Sequence, residues 1–271
     1  MILYYGFCTT LFGLIFGSFL NCTAMRLVRG EDFVKGRSKC PHCGHELTPI
    51  ELIPVLSYLL QKGRCRHCKE KISPRYIATE ITFALLSLGL YLKLVLGGDF
   101  FNISEIIIFF RNWGLTGCLF VAALTDLESM EIHDGTLIFG LISYIIFAIV
   151  QLIIGTTDFL SIGLSILTGL GLGAIMLLLS ILMDKMLKKE SLGGGDIKLF
   201  ALLGLYLGFF GAYELIILSC ILGLLFVGVR NKIKPDATKE FPFGPALACS
   251  GYIILLVGQY ITDWYLSMIF I

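Results

Sequence analysis

Residues 159–183 read FLSIGLSILTGLGLGAIMLLLSILM, an apolar run without a charged side chain. A helix crosses a bilayer with about 20 predominantly apolar residues, so this run predicts a transmembrane helix. Other runs of similar length have the same character, and any charged residues in them lie near the ends. They are residues 1–25, 77–97, 106–125, 135–157 and 241–262.

Residues 199–229 form a longer apolar run that is interrupted only by Glu214. As one helix this run would extend roughly 46 Å, which exceeds the ~30 Å hydrocarbon core. We therefore predict two short helices that turn between Gly211 and Glu214, and about eight spans in total. Residues 1–25 have no basic segment before their apolar part, which favours a retained span over a cleaved signal peptide.

The composition agrees with an all-α polytopic membrane protein. Hydrophobic residues make up 56% of the chain and charged residues 15%, and the mean hydropathy is +0.86. Soluble domains carry about 25% charged residues, so an ordinary cytosolic enzyme, a disordered chain and a coiled coil are excluded. The net charge of +1 gives no indication of a nucleic-acid partner, and the expected surroundings are the lipid bilayer.

The basic residues are concentrated in three segments between the predicted spans. Eighteen of the 21 Lys and Arg residues lie in 26–76, 184–190 and 230–240, and eight spans place these segments on one side. Because positive charge marks the cytoplasmic side, both termini are expected to face outward. The loop 126–134 is then cytoplasmic, and the loops 98–105 and 155–158 are external.

Four of the nine cysteines lie in the basic segment 26–76, as two Cys-x-x-Cys pairs. Cys40 and Cys43 form the first pair, and Cys65 and Cys68 form the second. This spacing is typical of a four-thiolate zinc site, in which two pairs complete a tetrahedron around the metal. Since the protein fills all four positions, the zinc would be structural. A redox pair or unbound thiols are the alternative.

The zinc site defines a small cytoplasmic insert between the first and second spans. A polar segment of about 50 residues is too small to build a large core, so a bound metal would supply stability. His42, His45 and His67 could also bind metal, but with four cysteines present they are expected on the surface. The predicted parts are a first transmembrane helix (1–25), the insert (26–76) and a seven-helix membrane domain (77–271).

Two aspartates are expected at the cytoplasmic membrane face. Asp126 begins the loop after the third span, and Asp196 follows the three glycines of 193–195 at the start of the sixth. Consecutive glycines are costly to order, which favours a place where the backbone approaches an extended substrate. Two carboxyl groups that share one proton can act as general acid and base on a peptide.

The neighbouring charged residues have simpler interpretations. Asp134 precedes an apolar helix, as an N-cap residue does. Glu128 and Glu131 are expected to face water. Lys198 either influences the aspartates or extends to the membrane interface.

Taken in order, these motifs resemble the type IV prepilin peptidases over nearly the whole chain. The resemblance implies that Asp126 and Asp196 are the catalytic aspartates. One departure is His133, where the family usually has proline. The other matching motifs are Gly17-Ser-Phe-Leu-Asn21 with Arg26, the two cysteine pairs, Ile53-Pro54-Val-Leu-Ser57, Ile72-Ser-Pro-Arg-Tyr76, Glu80 and Pro242-Phe-Gly-Pro245.

The resemblance implies two activities. The first removes the short basic leader of a type IV prepilin or pseudopilin at the cytoplasmic face of the cell membrane, in a pilus, secretion or competence system. The second methylates the new N-terminus from S-adenosylmethionine. Gly63 and Arg64 are candidates for methyl transfer by the same resemblance, although a knuckle turn and a surface charge explain them equally well.

Two other functions compete with this one. A presenilin-type intramembrane aspartyl protease shares the Gly-x-Gly-Asp motif, but it buries its aspartates in the bilayer and would leave the zinc insert unexplained. A membrane transporter with a zinc-stabilised regulatory insert would carry charged residues near mid-membrane and paired repeats. Glu214 is the candidate for such a charge, but it lies near an external turn and the sequence contains no repeat.

Overall fold

A computed structural model of the chain confirms the all-α architecture. It describes residues 1–32, 36–97, 102–189, 191–233 and 241–269. We number the helices in chain order: α1 (Ile2–Val28), α2 (Leu56–Leu60), α3 (Arg75–Leu96), α4 (Ile103–Ser129), α5 (Asp134–Ile154), α6 (Phe159–Leu187), α7 (Gly194–Ile233) and α8 (Gly244–Ile269). A 3₁₀ turn, Pro49–Leu52, precedes α2.

Within the described residues, seven helices are long and apolar enough to cross a membrane. These are α1 and α3 to α8, and every predicted span overlaps one of them. The predicted count of eight is not confirmed, because the predicted sixth and seventh spans both lie in α7.

Helix α7 is interrupted at Gly208, whose backbone (φ 69°, ψ −175°) is not helical. Glycine adopts this positive φ at low cost. The break divides the helix into segments 194–207 and 209–233. The turn that the sequence predicted between Gly211 and Glu214 therefore lies a few residues earlier.

The two segments of α7 run in opposite directions. The ring of Phe243 lies 6.2 Å from the ring of Phe200 in the first segment. A Cβ on Gly223, in the second segment, would lie 3.1 Å from the same Phe243 ring. In a straight helix, residues 200 and 223 would be about 34 Å apart. The chain thus returns after Gly208, and α8 begins near the end at which α7 begins.

Residues Met1–Phe100 form one compact unit, in which α1 packs against α3. A Cβ on Gly13 would lie 2.7 Å from the Cα of Ala84, and a Cβ on Gly17 would lie 2.9 Å from the Cα of Glu80. Small residues four positions apart let transmembrane backbones approach this closely. A larger residue at either position would push the two helices apart.

Residues Phe101–Ile271 form the second compact unit. Its hydrophobic core contains residues from all five helices, α4 through α8. Helices α6 and α7 approach closely, since a Cβ on Gly204 would lie 2.9 Å from the Cα of Gly169. The shared hydrophobic core holds the ends of α4, α7 and α8 in fixed positions relative to one another. The leucines at the centre of the core are Leu115, Leu199, Leu203, Leu215 and Leu247, each with 0% exposure.

Parts of the sequence-based prediction concern residues outside the described ranges. Residues 98–101 of the predicted external loop 98–105 are among them, whereas the loop 155–158 lies between α5 and α6. Three of the basic residues used to orient the chain also lie outside: Lys35, Lys234 and Lys239.

Candidate active site and metal centre

Asp126 lies near the end of α4, and not in a loop as the sequence predicted. The residue is only 4% exposed, and the helix continues to Ser129. Met130 then ends the helix with a left-handed backbone (φ 56°). The connection from α4 to α5 is therefore only residues 130–133, and Asp126 is held by a rigid helix.

The first N–H group of α8 holds the Asp126 side chain. Gly244 donates its N–H to Asp126 Oδ2 at 2.7 Å. The first N–H groups of a helix have no partner within the helix and carry positive partial charge, so a carboxylate is stabilised there. A Cβ on Gly244 would also lie 2.7 Å from Oδ2, so the contact requires glycine.

Gly244 is a candidate functional residue that the sequence-based reasoning did not single out. The sequence feature that could have indicated Gly244 is its position between Pro242-Phe243 and Pro245, at the start of an apolar helix. A proline in the first turn of a helix is typical, but the spacing does not indicate which side chain the glycine N–H contacts.

Asp196 occupies the first turn of α7, as the sequence predicted. It is half-buried, and its Oδ1 is buried without a hydrogen-bond partner among the described residues. Gly195 allows the α4–α5 connection to approach, since a Cβ there would lie 3.0 Å from the Cβ of Ile132. Among the described residues, no atom lies within 4 Å of a Cβ built on Gly194.

The carboxyl groups of Asp126 and Asp196 lie near enough to influence each other electrostatically. They come from different helices, and the N–H of Gly244 comes from a third. The site therefore combines two carboxyl groups with one backbone donor at the ends of α4, α7 and α8. Two carboxyl groups in such a site can share a proton and serve as general acid and general base.

Asp134 is not the N-cap residue of α5 that the sequence predicted. It is the first helical residue, and His133 occupies the cap position without a side-chain hydrogen bond to the helix. Lys198 Nζ instead donates to Asp134 Oδ1 at 2.6 Å, with side-chain exposures of 57% and 65%. This exposed pair links α5 to the first turn of α7. Glu128 and Glu131 are exposed, as predicted.

The four predicted zinc ligands converge on one point. The Sγ atoms of Cys40, Cys43, Cys65 and Cys68 all lie within 4.8 Å of one another, and those of Cys40 and Cys68 are 3.9 Å apart. A tetrahedral zinc with Zn–S bonds of about 2.3 Å requires S–S distances of about 3.8 Å. Hydrogen bonds from the backbone N–H groups of Cys43 and His42 lower the pKa of the Cys40 thiol to about 6, whereas burial and the neighbouring thiols raise the pKa of Cys68 to about 11.

Both Cys-x-x-Cys segments fold into the same knuckle. In each, the N–H of the first cysteine donates to the carbonyl oxygen five residues later, and the N–H four residues later donates back to the cysteine carbonyl. A single β-bridge closes each knuckle. The donor–acceptor pairs are Cys40–His45, Gly44–Cys40, Cys65–Glu70 and Lys69–Cys65, and the bridges are Lys39–Glu46 and Arg64–Lys71. The cysteines are thus positioned by local backbone structure.

Gly63 and Arg64 lie in the turn that enters the second knuckle. Gly63 has φ 66°, and a Cβ there would lie 3.0 Å from Tyr58 Oη. Its N–H donates to the Tyr58 carbonyl, and its own carbonyl accepts from Ile72. Arg64 is exposed. These contacts explain Gly63 as a turn residue, and a role of either residue in methyl transfer stays a prediction.

A second group of possible metal ligands lies beside the knuckles. His45, Glu51 and His67 have ligand atoms within 4.8 Å of one another, and the two imidazole rings are tilted by 33° with centroids 3.5 Å apart. His67 is exposed, as predicted, but His45 is only partly exposed and its Nε2 is buried. Glu51 was not predicted as a site residue. Its available signal was a capping-box pattern with Thr48, which indicates a structural role.

Comparison with known proteins decides the family. The model described as "Bacterial Peptidase A24 N-terminal domain" matches residues 11–94, and the model described as "Type IV leader peptidase family" matches residues 113–228. The prepilin leader peptidase/N-methyltransferase of Bacillus subtilis is 32% identical over 259 residues, which cover 95% of this chain and 96% of the relative. The chain belongs to the type IV leader peptidase family.

Two further relatives of this leader peptidase carry the same name. The protein of Aeromonas hydrophila is 31% identical over 290 residues, covering 95% of this chain and 92% of the relative. The protein of Pseudomonas aeruginosa is 31% identical over 294 residues, which cover 96% of this chain and 93% of the relative. No solved structure matches the chain at a significant level.

The predicted resemblance to this family is confirmed, and the chain is a multi-pass membrane peptidase. The four cysteines fall within the first matched model, and both aspartates fall within the second. Neither the presenilin-type protease nor the transporter is favoured by these matches.

Proposed function

We propose that this leader peptidase removes the short basic leader of type IV prepilins or pseudopilins, with Asp126 and Asp196 as catalytic residues. The observation that carries the proposal is the convergence of the two carboxyl groups with the N–H of Gly244. The relatives are named prepilin leader peptidases, which supports this substrate class.

In the proposed reaction, a water molecule attacks the carbonyl carbon of the scissile peptide. One carboxylate of the pair accepts a proton from the water as the C–O bond forms, and the protonated partner donates to the carbonyl oxygen. The C–N bond then breaks as the first carboxyl group passes the proton taken from water to the leaving nitrogen, and the partner carboxylate regains its proton from the hydroxyl that becomes the new carbonyl. The starting proton belongs to the pair and not to one residue. The N–H of Gly244 keeps the Asp126 carboxyl group in a fixed orientation.

We infer that cleavage takes place at the cytoplasmic membrane face. Both aspartates lie in end turns of their helices and not in the middle. The concentration of Lys and Arg in the segments between spans supports a cytoplasmic location for these ends. There the basic leader of a prepilin leaves the bilayer and its apolar helix enters it, so the scissile bond would meet the carboxyl pair.

We further infer that the insert 26–76, between the first helix (1–25) and the membrane domain (77–271), binds one structural zinc. The four thiols fit a single tetrahedral ion in distance and in donor type, and thiolates are preferred zinc ligands. The second half of the relatives' name supports methylation of the new N-terminus from S-adenosylmethionine. Gly63 and Arg64 are our candidates for that step.

A cleavage assay with aspartate variants tests the proposed function. Asp126→Asn and Asp196→Asn should each lower the cleavage rate of a prepilin by about 10⁴-fold, since asparagine keeps the shape but cannot accept or donate the proton. Asp158→Asn is the matched control, because Asp158 caps α6 by accepting from Ser161 at 3.0 Å and asparagine caps equally well. Near wild-type cleavage by either of the first two variants would remove that aspartate from the mechanism.

A further inference from the structure

The segment of residues 49–60, which we name the apolar ledge, presents an unusual surface. It consists of the 3₁₀ turn, a short link and α2. Six large apolar side chains of the ledge are exposed, and Leu60 reaches 71%. They are Ile50, Leu52, Ile53, Leu56, Leu59 and Leu60.

The one buried residue of the ledge is charged. Glu51 is buried, and its Oε2 accepts hydrogen bonds from the backbone N–H of Thr48 at 3.0 Å and from its hydroxyl at 2.8 Å. In a protein surface that faces water, glutamate is almost always exposed and large apolar residues are mostly covered. The ledge reverses this pattern, as expected of a surface that faces lipid.

A part-buried hydrogen bond fixes the ledge at the level of the transmembrane helices. The N–H of Val55 donates to Glu80 Oε2 at 2.7 Å. Glu80 lies five residues into α3, about 7.5 Å from the helix start. The backbone of Glu80 in turn contacts Gly17 of α1, which lies about 16 Å from the end of α1 at Val28. The ledge is thus attached beside apolar stretches of both helices.

The backbone at this attachment is constrained. Val55 has φ 62° and ψ −51°, a conformation that β-branched residues rarely adopt. Such a residue persists only where its surroundings hold it, and here Glu80 provides the hydrogen bond. The ledge is therefore held at one depth, with its apolar side chains pointing away from the protein.

The residues that follow the ledge carry positive charge. Residues 62–71 include five exposed basic side chains and one acidic residue, Glu70. An apolar face with an adjacent basic strip is the combination that binds the surface of an anionic bilayer. The basic side chains are Lys62, Arg64, Arg66, Lys69 and Lys71.

We propose that the apolar ledge inserts into the boundary between headgroups and acyl chains of an anionic phospholipid bilayer, with the basic strip on the headgroups. The ledge would anchor the metal-binding insert flat on the membrane between α1 and α3. This lipid contact is independent of peptidase activity and of bound metal. A groove for a protein substrate is the competing use of the same surface.

Tryptophan fluorescence with brominated lipids tests the lipid contact. The two native tryptophans are replaced (Trp113→Phe, Trp264→Phe), and Leu60→Trp is compared with Glu46→Trp, an exposed position on the first knuckle. The full-length protein is reconstituted in vesicles of phosphatidylcholine and phosphatidylglycerol whose acyl chains are brominated near the headgroup. We expect Leu60→Trp to be quenched severalfold more strongly than Glu46→Trp, and less strongly when phosphatidylglycerol is omitted.

Three results would overturn the lipid assignment. The first is quenching of Leu60→Trp no greater than that of Glu46→Trp. The second is quenching unchanged by omission of phosphatidylglycerol, which removes the role of the basic strip. The third is protection of Leu60→Trp from aqueous quenchers only after a prepilin is added, which would assign the ledge to substrate binding.

A second measurement avoids the tryptophan replacements. A benzophenone amino acid at position 60 of the otherwise unchanged chain should form a phospholipid adduct on illumination, detected by mass spectrometry. The same group at position 46 should form none. Equal adduct yields at the two positions would contradict the proposed depth of the ledge.

Discussion

The four-cysteine insert and the aspartate pair are assembled in opposite ways. The four cysteines lie within residues 40–68, and hydrogen bonds within each knuckle position them. The aspartate site joins residues from three helices, and the bond between Gly244 and Asp126 connects positions 118 residues apart. Local spacing is therefore sufficient to specify the first site, whereas the second depends on the packing of the whole membrane unit.

If this contrast is correct, metal removal should damage the insert and leave the aspartate site assembled. We expect Cys40→Ser or Cys68→Ser to lower the zinc content from about one ion per chain toward zero. Residues 36–74 should then become much more sensitive to proteases, because metal binding supplies much of the folding free energy of such small domains. Zinc content is measured on the purified protein, and fragments are mapped by mass spectrometry.

The membrane unit should remain protected from proteases in the same cysteine variants. Full zinc retention in a variant with all four cysteines replaced by serine would show that the metal binds elsewhere. Protease cleavage within residues 102–129 would show that the two sites are not independent.

The reverse change should impair the aspartate site and leave the metal centre intact. In Gly244→Ala, the new Cβ would meet Asp126 Oδ2 at 2.7 Å, so the carboxyl group must move. A displacement of about 1 Å can cost about 10²-fold in rate, and we expect a loss of that size in kcat/KM for prepilin cleavage. Zinc content should not change.

Gly228→Ala is the matched control for the glycine replacement, because no atom of the described residues lies within 4 Å of a Cβ there. Cleavage by Gly244→Ala at the rate of Gly228→Ala would mean that the N–H contact does not position the Asp126 carboxyl group for cleavage.

A smaller effect, confined to methyl transfer, is expected from a change at Gly63. Gly63→Ala should reduce methylation of the cleaved product more than cleavage itself, because a Cβ at φ 66° would press on Tyr58 Oη in the insert. Gly44→Ala has the same kind of backbone (φ 71°), but no described atom lies within 4 Å of its Cβ, so it controls for backbone strain of about 1–3 kcal/mol. Mass spectrometry of the product measures both reactions at once.

An unchanged ratio of methylation to cleavage in Gly63→Ala would show that Gly63 serves only to form the turn before the second knuckle. A product without a methyl group from the unmodified enzyme, with S-adenosylmethionine present, would restrict the protein to peptidase activity.

The smallest effect is expected from the pair of Asp134 and Lys198. Both side chains are more than half exposed, so their ion pair should contribute only about 0–1 kcal/mol. Asp134→Asn should shift the thermal unfolding midpoint only slightly and leave cleavage near wild type. A loss of cleavage comparable to that of Gly244→Ala would instead include this pair in the catalytic site.

The sequence predicted the apolar spans and the four cysteines because each depends on a pattern within a short stretch. It also indicated Asp126 and Asp196, through their position beside apolar runs and through the resemblance to a known family. It did not predict that Asp126 lies within α4, since Asp126 is itself the charged residue that ends the apolar run 106–125, whereas the helix continues to Ser129. Helix ends depend on backbone hydrogen bonds that hydropathy does not report.

Three further features could not be predicted from hydropathy or from the spacing of residues along one helix. The partner of Gly244 N–H and the pairing of Asp134 with Lys198 each join different helices. The reversal of α7 lies at Gly208, and not at the charged Glu214, because the backbone there requires a positive φ. No spacing within one helix encodes these choices, and the same limit applies to the exposed face of the apolar ledge.

The central claim is that Asp126 and Asp196 act as one catalytic unit, and a double-mutant comparison tests it most directly. Prepilin cleavage is measured for Asp126→Asn, for Asp196→Asn and for the double variant, under conditions in which all three retain zinc. Residues that act together are strongly non-additive, so the double variant should be scarcely slower than either single variant. A double variant whose rate loss equals the product of the two single losses would show two independent contributions and would contradict a shared acid–base pair.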